Sequence, residues 1–191
     1  NRLLIDLSYH SSRLEGNTYS LAETEKLLLQ GMSADDKIDA DKVMILNHKD
    51  AINFLVEGIN RLDVSEENVR TMHYLLAEGL VPNGGAGIIR SDGVRITSST
   101  YTPMEGQQRL EQQLRLIVNK AAAINDPFEQ SFFLLIHIAY LQAFIDVNKR
   151  TARLSANIPL VRNNLSPLSF IDLDKDDYAS AMIACYELNN E

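Results

Sequence analysis

The sequence has one cysteine, no tryptophan, few prolines and no long apolar run. A lone thiol, Cys185, cannot build an internal disulfide framework, and it fits a reducing compartment. No apolar stretch approaches the ~20 residues a membrane-spanning helix needs, and no signal-peptide pattern opens the chain. A cytoplasmic protein without a membrane partner is expected. Basic residues are the minority, 18 Lys and Arg against 26 Asp and Glu, which gives a net charge of -8 and a pI near 5.0. That balance argues against the broad basic surface of a non-specific nucleic-acid binder, and leaves room only for a small basic pocket. The four histidines have no metal-ligand spacing, and no Ser-His-Asp or Cys-His arrangement has local support. The chain opens on Asn1 rather than Met, as expected of a piece of a longer protein.

What is present is an ordinary globular composition, 45% apolar over 191 residues, long enough for one packed core. Neither repeats nor low-complexity linkers divide it, so a single domain over 1–191 is expected. Apolar residues recur at helical spacing through most of the chain. Leu3, Leu4, Leu7 and Leu14 predict a first helix ending near Gly16. Further helices are expected over Leu21–Leu29, from about Ile38 to Ile59, over Glu67–Leu80 and from about Met104 to Ala123. Asp126-Pro127-Phe128-Glu129 is a helix-start signature with proline at the first helical position. It opens a helix to about Leu141 that is apolar nearly all round and belongs in the core. A last amphipathic helix after Asp174 carries Tyr178, Met182, Ile183 and Tyr186. Between these, the loop chemistry of 82–87 precedes two β-prone runs, Ile88–Arg90 and Val94–Thr97, separated by Ser91-Asp92-Gly93 as in a hairpin. The expected fold is mainly all-α, a helical bundle with one short β-hairpin.

The densest polar cluster, Asp146 to Arg153, follows the buried helix and precedes Leu154, Ala156, Ile158 and Leu160, so it should start another helix. Free N–H groups and the dipole at a helix start attract anions. Lys149 and Arg150 are unusual there, where acids are preferred, and make sense against a polyanion. Arg150 and Arg153, three apart, share a helical face. Asp146 has the chemistry to share a magnesium ion with phosphates. For a generic stretch of this kind, a solvated, salt-bridged helix start is the commoner reading, so the cluster alone decides little.

Three separated features point further. Gln142 to Arg153 resembles the Fic signature, HPFx[D/E]GNGRxxR, with Phe144, Asp146, Asn148, Arg150 and Arg153 in register. Ser11 to Gly16 is similar to the family's inhibitory motif, [S/T]xxxE[G/N], which makes 1–16 an inhibitory helix. Gly87 to Pro103 resembles the flap hairpin that lies over the Fic active site, and Asn47, His48 and His73 also look familiar from its bundle. The resemblance implies ATP and Mg as ligands of a protein adenylyltransferase fold, with the signature loop and helix start over 142–153. It makes Asp146 the magnesium acid, Asn148 the α-phosphate contact, and Lys149 and Arg150 part of the phosphate site. Arg153 becomes the γ-phosphate arginine and Glu15, in the Ser11 motif, the glutamate that blocks it. Val94, Arg95, Ile96 and Thr97 would dock a target protein.

The departures matter as much. Gln142 stands where the family has its catalytic histidine, and a carboxamide cannot accept a proton near neutral pH. Val147 and Lys149 replace two glycines. The Asn-Lys-Arg-Thr-Ala run is similar to the Doc toxins, relatives that transfer a phosphate, but those keep the histidine. His137, about 500° of helical rotation before Gln142, does not share a face with it closely and is expected to be a hydrogen-bonded core residue. His10 is expected at the surface, and His48 and His73 inside the bundle. Three functions therefore stand open: an autoinhibited adenylyltransferase weakened by Gln142, a non-catalytic nucleotide- or protein-binding module, and a Doc-like phosphotransferase.

Overall fold

Short polar side chains set the helix starts. Ser20 caps the helix that opens at Leu21 by accepting the Glu23 N–H at 3.3 Å while the Glu23 carboxylate accepts the Ser20 N–H at 2.7 Å. Ser65 caps the helix that opens at Glu66, and Asp126 caps the one that opens at Pro127 by accepting the N–H groups of Phe128 and Glu129. The computed structural model describes residues 2–32, 39–82, 84–97 and 99–188. Nine helices occur among them: α1 Arg2–Leu14, α2 Leu21–Gln30, α3 Asp39–Glu57, α4 Glu66–Ala77, α5 Gln107–Ala122, α6 Pro127–Leu141, α7 Asn148–Ser155, α8 Asn157–Arg162 and α9 Lys175–Leu188. None is long and apolar enough to cross a membrane.

The apolar α6 is central, packed against α5, α7, α8 and α9. Its Leu134, Ile138 and Ala139 are buried among Met72 and Leu76 of α4, Leu110 and Leu114 of α5, and Leu154 and Ile158 of the chain beyond. Each large side chain so buried contributes roughly 1.5–3 kcal/mol. Leu7 and Leu14 of α1 and Tyr178, Met182 and Tyr186 of α9 join the same core, so both ends of the chain close on the middle. A smaller cluster of Ile5, Tyr19, Leu27, Leu28 and Ile45 seals α1, α2 and α3 together. The buried face of α1 is not only apolar. Ser8, Ser11 and Ser12 are buried too, and they meet the polar groups described below.

Several expectations change. The helix after residue 146 is two helices, because Pro159 has no N–H to bond the carbonyl of residue 155; Asn157 fills the break by bonding Arg153 O and both backbone groups of Leu168. α5 starts at Gln107, beyond the expected Met104, after Gly106 at φ 95°. α4 stops at Ala77 rather than Leu80, with Gly79 at φ 71° just beyond. α3 ends at Glu57, and its expected start at Ile38 lies outside the described residues, as does Asn83 in the loop before the flap.

The last change is the hairpin. Among the described residues, neither Ile88–Arg90 nor Val94–Thr97 is a strand. The Arg90 N–H donates to Ala143 O at 3.0 Å, so the first run pairs with the signature loop. The Arg90 guanidinium then takes Asp92 O at 2.7 Å and Met104 O at 2.6 Å, gathering both ends of the segment around itself. A β-prone composition does not say what such a run will pair with.

Candidate functional site

The site is built where α6 ends. Gln142 caps α6 in the left-handed region, φ 49°. Its main-chain oxygen accepts from Arg90 Nε at 2.7 Å, which puts a buried cation at the negative end of the α6 dipole. Its carboxamide is engaged locally: Nε2 donates to Ala139 O at 2.7 Å and Oε1 accepts from Asn148 Nδ2 at 3.3 Å. Phe144 is fully buried and stacks on the His73 ring at 3.7 Å. Asn148 pinches the loop, accepting the Phe144 N–H and donating to Phe144 O, both at 2.9 Å. The carboxamide expected to contact an α-phosphate thus also braces the loop.

His73 joins the signature loop to the start of the flap. Its Nδ1 accepts the Gly87 N–H at 2.8 Å, so its Nε2 carries the proton donated to Asp146 O at 3.1 Å. Burial holds its pKa down at about 4. Val147 occupies the left-handed region at φ 65° as the N-cap of α7, with no side-chain cap. A β-branched residue there is strained by about 1–3 kcal/mol, at the position where the Fic pattern has glycine.

α7 begins with Asn148, Lys149 and Arg150, ahead of the first bond from Thr151 N–H to Val147 O. Its first-turn N–H groups and the dipole form an anion-attracting end, with no acid in that turn. The acid comes from α1. Glu15, just past the end of α1, places Oε1 2.8 Å from Arg153 Nη2 and Oε2 3.2 Å from Lys149 Nζ. Burial raises the Glu15 pKa, but Arg153, Lys149 and Arg150 outweigh it and hold the carboxyl at about 2.

Arg153, with no exposed surface, is anchored besides. It donates from Nε to Ser11 Oγ at 3.0 Å, from Nη2 to Ser11 O at 3.1 Å and from Nη1 to the Tyr178 hydroxyl at 3.1 Å. The Ser11 hydroxyl donates in turn to His48 Nε2 at 3.0 Å, since His48 Nδ1 is the proton donor to Met44 O at 2.8 Å. His48 is fully buried, and burial pushes its pKa down to about 3. The hydroxyl face of α1 is therefore the socket of a buried arginine.

These groups predict the acid response. A histidine whose folded pKa lies below its unfolded 6.5 contributes stability above pH 6.5 that is lost as pH falls toward the folded value. His48 and His73 lose theirs between 6.5 and about 3 and about 4 respectively. Glu15, lowered from 4.5 to about 2, loses its share between those values. All three have one sign. Chemical denaturation from pH 7.5 to 4 should show a continuous fall in stability, steepened below pH 5; a flat profile down to pH 4 would refute the assignment.

The side chains surround a cavity of about 270 Å³. Glu15 lines it, with Gln142, Asp146, Asn148, Lys149 and Arg150 from the signature loop and Arg95, Ile96 and Thr97 from the flap. Val94 faces a neighbouring groove with Thr100 and Glu105 instead. Ser11 and Arg153 are buried and reach the cavity through Glu15. His137 bonds Phe133 O at 3.0 Å and lines a different, apolar pocket between α5 and α6, away from Gln142. His10 is half-buried rather than at the surface.

Two contributions were not singled out from the sequence. One is the apolar wall of Ala179, Met182, Ile183 and Tyr186, a single stripe of α9. Its periodicity was visible, but not what the stripe covers. The other is Arg90, which an arginine in a β-prone run does not advertise. Among the described residues no group of three or more His, Cys, Asp or Glu could hold a metal. The exposed Asp146, whose Oδ1 accepts the Val147 N–H at 2.6 Å, stands alone. A single carboxylate suits magnesium, which takes its other ligands from phosphates and water.

Comparison with known proteins agrees with this geometry. A protein adenylyltransferase fic-1 of Caenorhabditis briggsae is 26% identical over 183 residues, covering 92% of this chain and 36% of the relative. A protein adenylyltransferase Fic of Nematostella vectensis is 28% identical over 181 residues, covering 89% and 40%. The chain thus spans well under half the length of these curated relatives. Among solved structures, Fic-1 (residues 134–508) of Caenorhabditis elegans superposes with a TM-score of 0.80 at 23% identity, over 97% of this chain and 56% of that one. A Fic domain containing signaling protein of Bacteroides thetaiotaomicron gives 0.80 at 20%, over 96% and 72%. At such identities these superpositions speak for the fold. The Fic/DOC family model matches residues 63–160, more than half of the chain and all of the signature loop, and the chain belongs to the Fic/DOC family.

Proposed function

We propose that the chain is a nucleotide-binding Fic domain of adenylyltransferase ancestry, held at rest by Glu15 and weak in AMP transfer because of Gln142. One observation carries the reading: the Glu15 carboxylate lies on Arg153 and Lys149 at the mouth of a cavity that opens on the α7 N-terminus. A carboxylate held there stands where a phosphate would. ATP is the nucleotide the relatives' activity implies, and Asp146 would hold magnesium, which would neutralise phosphate charge. In AMP transfer a target hydroxyl oxygen bonds the α-phosphorus, the bond to pyrophosphate breaks, and the hydroxyl proton needs an acceptor. Gln142 can orient that hydroxyl through its amide oxygen but cannot take the proton. Arg95, Ile96 and Thr97 line the same cavity, which supports the flap as the place where a target segment adds beside it. The lone, buried Cys185 supports a reducing, cytoplasmic setting.

A second reading, a non-catalytic module, is favoured by one feature. The Gln142 carboxamide bonds Ala139 and Asn148, as a structural residue would. Thermal melts test binding in either case. ATP with magnesium at ~100 times its Kd should stabilise the Glu15→Gly variant by about 2.7 kcal/mol. No shift with ATP, ADP, AMP or phosphate would sink both nucleotide readings.

A further inference from the structure

We infer that the pocket between α5 and α6 binds an aromatic carboxylate of one or two rings, with Lys120 as its counter-ion. The pocket shares no lining residue with the cavity around Glu15 and Gln142, so the inference stands apart from the nucleotide reading. Two helical stripes build it. Gln113, Leu116, Ile117 and Lys120 recur at the three- and four-residue spacing of one α5 face. Phe133, His137 and Tyr140 do the same on α6. Tyr101 and Met104, from the end of the flap segment, complete the wall.

The rings of the wall are held by the protein itself. The Tyr101 hydroxyl donates to Tyr140 O at 3.1 Å, with the two rings 4.6 Å apart. Phe133 stacks on His137 at 3.9 Å, while His137 Nδ1 bonds Phe133 O at 3.0 Å. Across from them Leu116 is 44% exposed, apolar surface left to water. A flat apolar body would displace that water and pack on rings already in place. The volume is about 240 Å³. An apolar cavity of roughly 150 Å³ holds one benzene, and drug-sized ligands need roughly 300 Å³ or more. The space therefore suits one or two rings.

Charge sets the head group. Among the described residues, Lys120 is the one lysine or arginine in the lining, and no aspartate or glutamate joins it. Its ammonium has no ion pair among those residues. The α5 dipole favours a cation in this last turn, which accounts for the charge but not for its place beside an apolar pocket. An ammonium is a single point charge, without the fork that grips a phosphate bidentately, so one carboxylate answers it.

The probe is naphthalene-1-acetate, with uncharged naphthalene-1-acetamide as control, each titrated into the whole chain while amide shifts are followed by NMR. The acetate should bind with a Kd of about 1 mM or tighter, as ordinary ligand efficiency gives for a molecule of this size. It should move the amides of 113–120 and 133–141 and leave those of 146–150 in place. The acetamide should bind about threefold more weakly, as for an exposed ion pair. That difference should vanish in Lys120→Met and in about 1 M salt. Leu116→Glu, a change at an exposed position, should weaken the acetate at least about tenfold by setting like charges together. No binding of the acetate by the unmodified chain, or shifts centred on the nucleotide cavity, overturns the inference without any variant having to fold. Equal affinity for acetate and acetamide, or a preference that survives Lys120→Met, overturns the carboxylate assignment. A dimer in sedimentation that Leu116→Glu dissolves also overturns it, because a second copy of the chain would then cover the pocket.

Discussion

Restoring a base with Gln142→His, together with Glu15→Gly, should start self-labelling by radiolabelled ATP, while the unmodified chain labels at least about a hundredfold more slowly. The attacking hydroxyl must lose its proton as the new bond to phosphorus forms. A histidine at 142 would have a lone pair and a suitable pKa; the carboxamide has neither. The phosphate side is untouched by the exchange, since Asp146, Lys149 and Arg150 keep their places along the cavity. Both substitutions are needed, because Glu15 otherwise stays on Arg153 and Lys149. Efficient labelling by the unmodified chain would show that no base at 142 is required. A silent double variant that still binds ATP would move the blame to Val147, whose left-handed backbone shapes the amide end of α7.

Arg153→Ala should destabilise the fold by about 3–5 kcal/mol, the usual cost of removing one partner of a buried ion pair. Arg153 has no exposed surface and holds Ser11 through both oxygens, along with Tyr178 and Glu15. Its loss leaves a carboxylate whose side chain is only 16% exposed with the half-exposed Lys149 as its remaining ion-pair partner. At about 2–4 °C per kcal/mol for a chain of this size, Tm should drop on the order of 10 °C. Adding Glu15→Gln should recover part of the loss by removing the under-compensated charge. A fall under about 1 kcal/mol for the single variant would mean that α1 is held by its leucines alone.

The fold was legible where local chemistry decides. Asp126 with Pro127 announces a helix start that needs no tertiary partner. Periodicity found the core helices, though not the break that Pro159 makes between α7 and α8. The flap was misread because extended backbone has to pair with something, and composition does not say with what. Half of the site was legible too. Cations at a helix start with an acid just upstream are a local oddity, visible in Asp146 to Arg150. That Glu15 would answer Arg153 was available only through the resemblance to the Fic pattern, and its second partner, Lys149, was not foreseen. The relay from Arg153 through Ser11 to His48 joins α7, α1 and α3, and no short-range pattern encodes such a meeting. Asn148 shows the converse. Its place in the motif suggested a ligand contact, while its carboxamide closes the loop beneath.

The Arg90 guanidinium has its three nitrogens on the carbonyls of Asp92, Met104 and Gln142. The intervening segment is therefore a noose drawn shut at one buried point, with no free end from which to fray. Closing a loop costs entropy once, however its interior moves. The stretch is thus fixed at its base by Arg90 and tied across its span to α9, where the Glu187 carboxylate accepts from Ser99 Oγ at 2.9 Å and from the Thr100 N–H at 2.7 Å; its base lets go as a unit when the arginine leaves. A pull on the segment is therefore shared between the Glu187 side chain and, through Arg90, the backbone of Gln142, which lines the same cavity as Arg95, Ile96 and Thr97.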